Sequence, residues 1–478
     1  MRTDSTRATR AIHASVNDPT EAQQMFDEIT YEKGASVLRM LEVYTGEENF
    51  RSGISRYLKS FSYNNATTAD LWNSLQQSSG KPVGAMMSAW ANQSGYPLIS
   101  VAGGNGKRKL SQERFWLRPD KNGTAELWHV PVGLRYLEAS VPTDPVKADE
   151  TALLEKRSQD VEVDASKPEF TANAGGYGYY RVSYAPPLFA KLLPQVPLAM
   201  NALERLALVG DQFALCLSGK VPLQSYLGVL AISRHETDPD VWNAILDQLR
   251  YLNLFVEPAT RPAFQKFVQS LLQPTQTRLT WQTNSKESDK TKMLRGKVMG
   301  VLGTIGGDVS TIKEARRLFE QYLKLPSGID ANLIDAVTSV VAYNGKKADF
   351  DQIVRLWKDA KTPEVEKRNL FALSVFREPI LRTSVLEMSM KPAVRPQDAA
   401  SLLANVLRSS DGKAAAWSFV QLNWPGIKKR FTDHMQSGIA GSADQFVEDA
   451  QCKSVEDFFK THKIQAGQAS VNRMIGRL

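Results

Sequence analysis

Hydrolytic chemistry at a metal calls first for imidazoles, thiolates and carboxylates at set spacings, and the histidines are few enough to take in turn. They are His13, His129, His235, His434 and His462. One helix can offer two imidazoles to zinc when they stand four residues apart, on one face, with a glutamate between them as general base. No two of these histidines have that spacing. The nearest approach, His235-Glu236-Thr237-Asp238-Pro239, carries proline where the second ligand would stand, and it reads as a surface loop. The two cysteines, Cys216 and Cys452, fall inside segments that read as helix, which predicts core filling and no disulfide framework. The sequence therefore names no metal ligand and no cofactor-binding residue, and an independent metallohydrolase assembled from these scattered groups finds no support in their spacing.

The elements that would carry any site change character twice along the chain. Residues 21–93 read as short amphipathic helices: Gly34, Val37, Leu38, Leu41 and Tyr44 recur at helical spacing, and after Gly46 so do Phe50, Ile54, Tyr57, Leu58 and Phe61. A further helix starts at a Thr67-Thr68 cap and buries Leu71, Trp72 and Leu75; the next opens at Pro82 and buries Val83, Met86, Met87 and Trp90. From Leu98 the texture becomes β-rich, with strands expected at 98–101, 110–117, 127–136 and 179–184 and turns such as Asp120-Lys121-Asn122-Gly123. That predicts a small β-sandwich. Beyond Pro186-Pro187 the pattern is helical to the end, for example over 240–254, 259–272, 331–343 and 399–407. The expected fold is thus mainly α with a small β-sandwich: a helical segment over 1–93, a sandwich over 94–185, and a HEAT- or armadillo-like superhelix over 186–478.

Composition excludes several function classes. With 42% hydrophobic and 23% charged residues, the chain is unlike disordered segments. The net charge of +8 comes from 59 basic and 51 acidic residues spread along the chain, with short clusters such as Lys428-Lys429-Arg430 and Lys346-Lys347. A nucleic-acid surface needs a concentrated basic stripe with aromatic platforms, so no nucleic-acid partner is expected. No run of about 18 uncharged apolar residues suggests a membrane span, and the N-terminal residues do not lead into an apolar signal core. A cytoplasmic location is the expectation that follows.

One block is far more specific than composition. The run from Phe26 to Leu41, with Tyr31-Glu32-Lys33-Gly34 at its centre, resembles the segment that follows the zinc site in M1-family (gluzincin) aminopeptidases. Further blocks agree in order: Gly46-Glu47-Glu48-Asn49-Phe50-Arg51, Asn65-Ala66-Thr67 with Leu71-Trp72, and Trp90 to Pro97 with Gln93-Ser94-Gly95-Tyr96-Pro97. Asn173 to Tyr184, with Gly178-Tyr179-Tyr180-Arg181-Val182, and Arg205 to Gly219, with Gly210-Asp211-Gln212-Phe213, continue the likeness. The match is strong to about residue 230; beyond it only the helical texture and the Phe458-Phe459 region fit.

This resemblance, to aminopeptidases of the puromycin-sensitive and endoplasmic-reticulum type, implies the end of a thermolysin-like catalytic domain, then a β-sandwich, then a helical superhelix. It implies that Tyr31 donates a hydrogen bond to the oxyanion formed at the scissile carbonyl. A phenol, ordinarily protonated until about pH 10, suits that role. It also implies zinc in the complete enzyme, a peptide substrate, and a separate N-terminal half holding the His-Glu-x-x-His helix and the Gly-x-Met-Glu-Asn strand. Gly84-Ala85-Met86-Met87 is not that strand: Met87 and Ser88 stand where Glu and Asn belong, and the segment reads as helix. The chain is accordingly expected to begin after the zinc site and to be inactive alone. The alternative is a non-catalytic solenoid that holds peptides or a protein partner.

Overall fold

Thr67 and Asp70 show how the local chemistry starts a helix. The Asp70 carboxylate accepts from the Thr67 backbone N–H at 2.7 Å, the Thr67 hydroxyl accepts from the Asp70 N–H at 3.4 Å, and helix Thr68–Ser79 follows. Gly80, at φ 68°, takes the left-handed conformation that closes it. Helices Gly34–Thr45, Glu47–Ser60 and Val83–Asn92 complete this stretch. The structure is a computed structural model, and it describes residues 1–16, 25–104, 106–118, 125–138, 141–142, 146–164, 166–167, 169–284 and 286–476. The turn expected at Asp120-Lys121-Asn122-Gly123, and residues 21–24 of the expected helical run, lie outside the described residues.

The chain divides into two compact units, Met1–Ser233 and Arg234–Leu478. In the first, strands β1 (Pro97–Ala102), β2 (Lys107–Arg114), β3 (Val130–Tyr136), β4 (Glu150–Leu154), β5 (Ser158–Glu162), β6 (Phe170–Thr171) and β7 (Arg181–Tyr184) form two sheets, ordered β5-β2-β1-β7 and β4-β3-β6. β1 pairs antiparallel with β2, Leu98 opposite Glu113, and parallel with β7, Leu98 opposite Arg181. One continuous core holds both sheets and the preceding helices: Leu41, Leu75, Met86 and Trp90 pack with Ile99, Leu110, Trp128, Val132 and Tyr180. Helices Pro186–Leu192, Val196–Ala199, Ala202–Leu217 and Leu223–Ile232 close this unit.

The second unit is helical throughout its described residues. Its helices pack mostly against near neighbours in sequence, Asp289–Gly303 on Ala331–Tyr343 and Lys347–Lys358 on Pro363–Ala372. An apolar core built from Val337, Ile353, Leu373, Leu403, Val420, Val455 and their neighbours joins its helices from Val309–Lys324 onward.

Several expectations shift. β2 begins three residues before the expected segment and ends three before its end, at Arg114, while β3 begins only at Val130. The helix expected over 259–272 spans Arg261–Leu279, with Pro274 inside it. Leu38 and Leu58, expected on buried stripes, are exposed, Leu58 at 61%; among the described residues the only fully buried position of helix Glu47–Ser60 is Gly53, which meets Leu75 and Ser78 too closely for any larger side chain.

Candidate functional site

Tyr31 lies in a wide π-type turn, Ile29–Lys33, that runs straight into helix Gly34–Thr45. The widening is visible in the bond from the Lys33 N–H to the Glu28 carbonyl at 3.0 Å, five residues back. Such turns are rare and concentrate at functional positions. The turn is closed by Asp27, whose Oδ1 accepts from the Ile29 and Thr30 N–H groups at 3.0 and 3.1 Å and from Arg10 Nη2 at 2.7 Å. Arg10 Nη2 also reaches Thr30 Oγ1 at 2.7 Å, and Thr3 donates to Glu28 Oε1 at 2.7 Å. The phenol of Tyr31 points outward, 56% exposed, beside the exposed ring of Phe26 at 6.0 Å.

Two residues further on, Lys33 points the other way. Its ammonium is wholly buried, ion-paired to Asp4 Oδ2 at 2.9 Å and donating to the carbonyls of Gly95 at 2.8 Å and Gln93 at 3.5 Å. All three ammonium protons have a partner, which is what burial of a charge demands. Burial pulls the Lys33 ammonium below its ordinary range, against the attraction of Asp4. Asp4 is equally buried and also accepts from the Gly95 N–H at 3.0 Å, Thr9 Oγ1 at 2.6 Å and the Tyr179 hydroxyl at 3.3 Å.

Other quoted motif residues meet in a second buried cluster. Arg181 donates to Tyr96 Oη at 3.2 Å, to the Gly210 carbonyl at 2.9 Å and to Asp211 Oδ1 at 3.1 Å, and Asp211 Oδ2 receives the Val182 N–H at 3.0 Å. In a third, Arg135 makes a two-pronged pair with Glu204 at 2.8 and 2.5 Å, while Glu204 also takes the N–H of Gly175, whose φ of 68° suits glycine. Reading the sequence singled out none of Asp4, Lys33, Arg135 or Glu204 for a role. Charged residues between apolar ones read as solvated faces, and only the pairing across 29 residues from Asp4 to Lys33, or 69 from Arg135 to Glu204, shows otherwise.

The histidines stay apart. His13 Nδ1 lies 3.1 Å from Asn92 Oδ1, His129 lies 3.7 Å from Glu155, His235 and His434 are exposed, and His462 stacks on Phe458 with ring centroids 4.0 Å apart. The segment at 235–239 is not a plain surface loop. Glu236 is buried and accepts from the N–H groups of Thr237 and Asp238 at 2.7 and 2.8 Å, and Asp238 caps helix Pro239–Leu252. Among the described residues no group of three or more His, Cys, Asp or Glu side chains is placed to hold a metal ion. Met86 and Met87 are buried in helix Val83–Asn92, consistent with reading that segment as helix and not as an amine-gripping strand.

Comparison with known proteins decides the family. The model of the ERAP1-like C-terminal domain matches residues 170–476, and that of the peptidase family M1 domain matches residues 1–90. The chain belongs to the M1 peptidase family and carries its ERAP1-like C-terminal domain. The M1 match takes in Tyr31 and the helices through Trp90, and the C-terminal match continues well past residue 230, where the quoted motifs give out. Aminopeptidase M1-A of Oryza sativa subsp. japonica is 28% identical over 479 residues, spanning 96% of this chain and 53% of its own length. Puromycin-sensitive aminopeptidase of Caenorhabditis elegans is 30% identical over 430 residues, 88% of this chain and 45% of its own length. Glutamyl aminopeptidase of Sus scrofa is 27% identical over 480 residues, covering 96% and 49%. The chain spans about half the length of these relatives and corresponds to their C-terminal portion.

Proposed function

We propose that this chain is the C-terminal portion of a metalloaminopeptidase that removes N-terminal residues from peptides, with Tyr31 as the hydrogen-bond donor to the oxyanion at the scissile carbonyl. The observation that carries this reading is the outward phenol of Tyr31 on an irregular turn locked from beneath, within the segment matched by the M1 model. A donor held this way needs no reorganisation as negative charge develops on the carbonyl oxygen. Zinc, which the family implies, would be held by another stretch of polypeptide, because the residues described here do not form a site for it. Phe26, Leu38 and Val43 are exposed as well, apolar surface that such a stretch would cover. On this reading residues 1–93 end a thermolysin-like catalytic domain, 94–185 form the sandwich, and 186–478 form a HEAT-like superhelix that encloses peptide.

The test is an assay on an aminoacyl chromogenic substrate. Residues 1–478 with added zinc should show no turnover; the chain completed by a zinc-bearing M1 segment should be active, and Tyr31→Phe in it should lower kcat by about 100- to 1,000-fold. Zinc-dependent turnover by the chain alone, unaffected by Tyr31→Phe, would overturn the proposal.

A second reading, a binding solenoid without catalysis, is favoured by a cavity of about 630 Å³ within the second unit. Met293, Tyr343 and Phe376 give it apolar walls, Arg377 pairs with Asp411 at 2.9 Å, and Arg408 adds a positive charge. Peptide binding to the isolated chain, weakened at least tenfold by Arg408→Ala, would support it; equal binding by the variant would count against this cavity as the site.

A further inference from the structure

We propose that the buried Asp4–Lys33 ion pair is the positioning device for the Tyr31 phenol: it fixes the rotation of the Ile29–Lys33 turn about its own axis, and so the direction in which the hydroxyl points. The catalytic meaning of this rests on the reading of Tyr31 given above; the positional claim stands on geometry alone. Residues two apart on a helical turn point roughly 200° away from one another. Anchoring Lys33 inward therefore turns Tyr31 outward, as observed.

The anchor cannot slide. The Lys33 ammonium is fixed by Asp4 and by the Gly95 and Gln93 carbonyls, and Asp4 in turn is held by the Gly95 N–H, Thr9 and Tyr179. Gln93 and Gly95 belong to the segment entering β1 and Tyr179 to the segment entering β7, so the turn is referenced to the sheet and not only to its own helix. Were Asp4 replaced as well, a well-packed apolar side chain at position 33 could fill the same volume at little cost, since buried ion pairs are often no more stabilising than apolar replacements. What such a side chain could not do is choose one rotation, because apolar contact has no direction. Asp27 with Arg10, and Thr3 with Glu28, brace the two sides of the turn but touch only its backbone and outer edge. Ile29 is buried as well, but by apolar contact; among the described residues of the turn it is Lys33 that ties its interior to the body of the unit by directed polar bonds. Lys33 and Asp4 are positioning residues, not catalytic ones, because neither reaches the surface where Tyr31 lies exposed.

The test needs no turnover. The chain is labelled with 3-fluorotyrosine, and the Tyr31 ¹⁹F resonance is assigned by its loss in Tyr31→Phe. Lys33→Met and Asp4→Asn should each shift or split that resonance by more than its linewidth, with Lys33→Arg keeping it closer to the parent. Leu75→Ala, which opens the same core away from the turn, should leave it in place. An unchanged Tyr31 resonance in Lys33→Met would reduce the pair to a structural contact and overturn the proposal. Should the substituted chains fail to fold, amide exchange in the unsubstituted chain decides: residues 29–33 should be protected as strongly as helix Gly34–Thr45, and protection more than tenfold weaker would overturn it. If instead Tyr31→Phe leaves turnover of the completed enzyme intact, the catalytic reading falls while the positional result stands.

Discussion

The two units bury charge in opposite ways. The first encloses three ionic clusters, Asp4 with Lys33, Arg135 with Glu204 and Arg181 with Asp211, each with side chains at most 11% exposed. The second keeps its ion pairs at the surface, as with Lys347 and Asp351, with Arg295 against the partly exposed Glu287 as its nearest approach to a buried one. A buried charge accepts few replacements, since an unpaired survivor is costly, whereas an apolar core tolerates exchange of side chains of similar volume. The first unit should therefore be brittle at single polar positions, and the second should yield gradually.

The sharpest way to break that contrast is Lys33→Ala, which strands Asp4 in the core and should cost about 3–5 kcal/mol in urea denaturation. The double variant Asp4→Leu with Lys33→Met should recover much of that loss; failure to recover would mean the pair contributes stability beyond its own neutralisation. In the second unit Leu403→Ala should cost about 2–5 kcal/mol, depending on how far the wholly buried site collapses. Leu403→Met, nearly equal in volume, should cost less than about 1.5 kcal/mol, and a larger loss would show this core to be as exacting as the first.

Acid gives a smaller and directional effect. Burial disfavours the Asp308 carboxylate, but hydrogen bonds from Ser310 and Thr311 outweigh it and leave the group below its ordinary value of 3.8. Protons bind more readily to the unfolded chain, so this contribution is fully present above pH 3.8 and is lost as pH falls through the folded-state value. The loss of stability between neutral and strongly acid solution should be smaller in Asp308→Asn than in the parent, and an equal loss would remove the cap from the account. Smallest of all, Lys347→Ala should change stability by less than about 0.5 kcal/mol.

The same contrast explains what the sequence disclosed. Tyr31, Tyr96, Arg181 and Asp211 stood out within blocks whose residues are held in place by specific polar partners, and those blocks lie in the first unit. In the second, helix Ala331–Tyr343 was legible to the residue from its apolar period, but nothing marked its ancestry. Strands β4 and β5 went unread because Glu150–Leu154 and Ser158–Glu162 are short, largely exposed sheet edges with few β-branched residues. The exposure of Leu38 and Leu58 was beyond any local pattern, since periodicity reports an apolar face and not what covers it.

The parallel pairing of β1 with β7 carries a consequence for synthesis. Leu98 must wait for Arg181, and Asp4 for Tyr179, before either finds its neighbour. A ribosome would have to release most of the first unit before β1 has both its neighbours and Asp4 its Tyr179 partner. The later helices, whose neighbours lie near in sequence, could condense pair by pair as they emerge. Any arrest of translation before Tyr184 should thus yield a nascent chain sensitive to protease, and release of a few more residues should abruptly protect it.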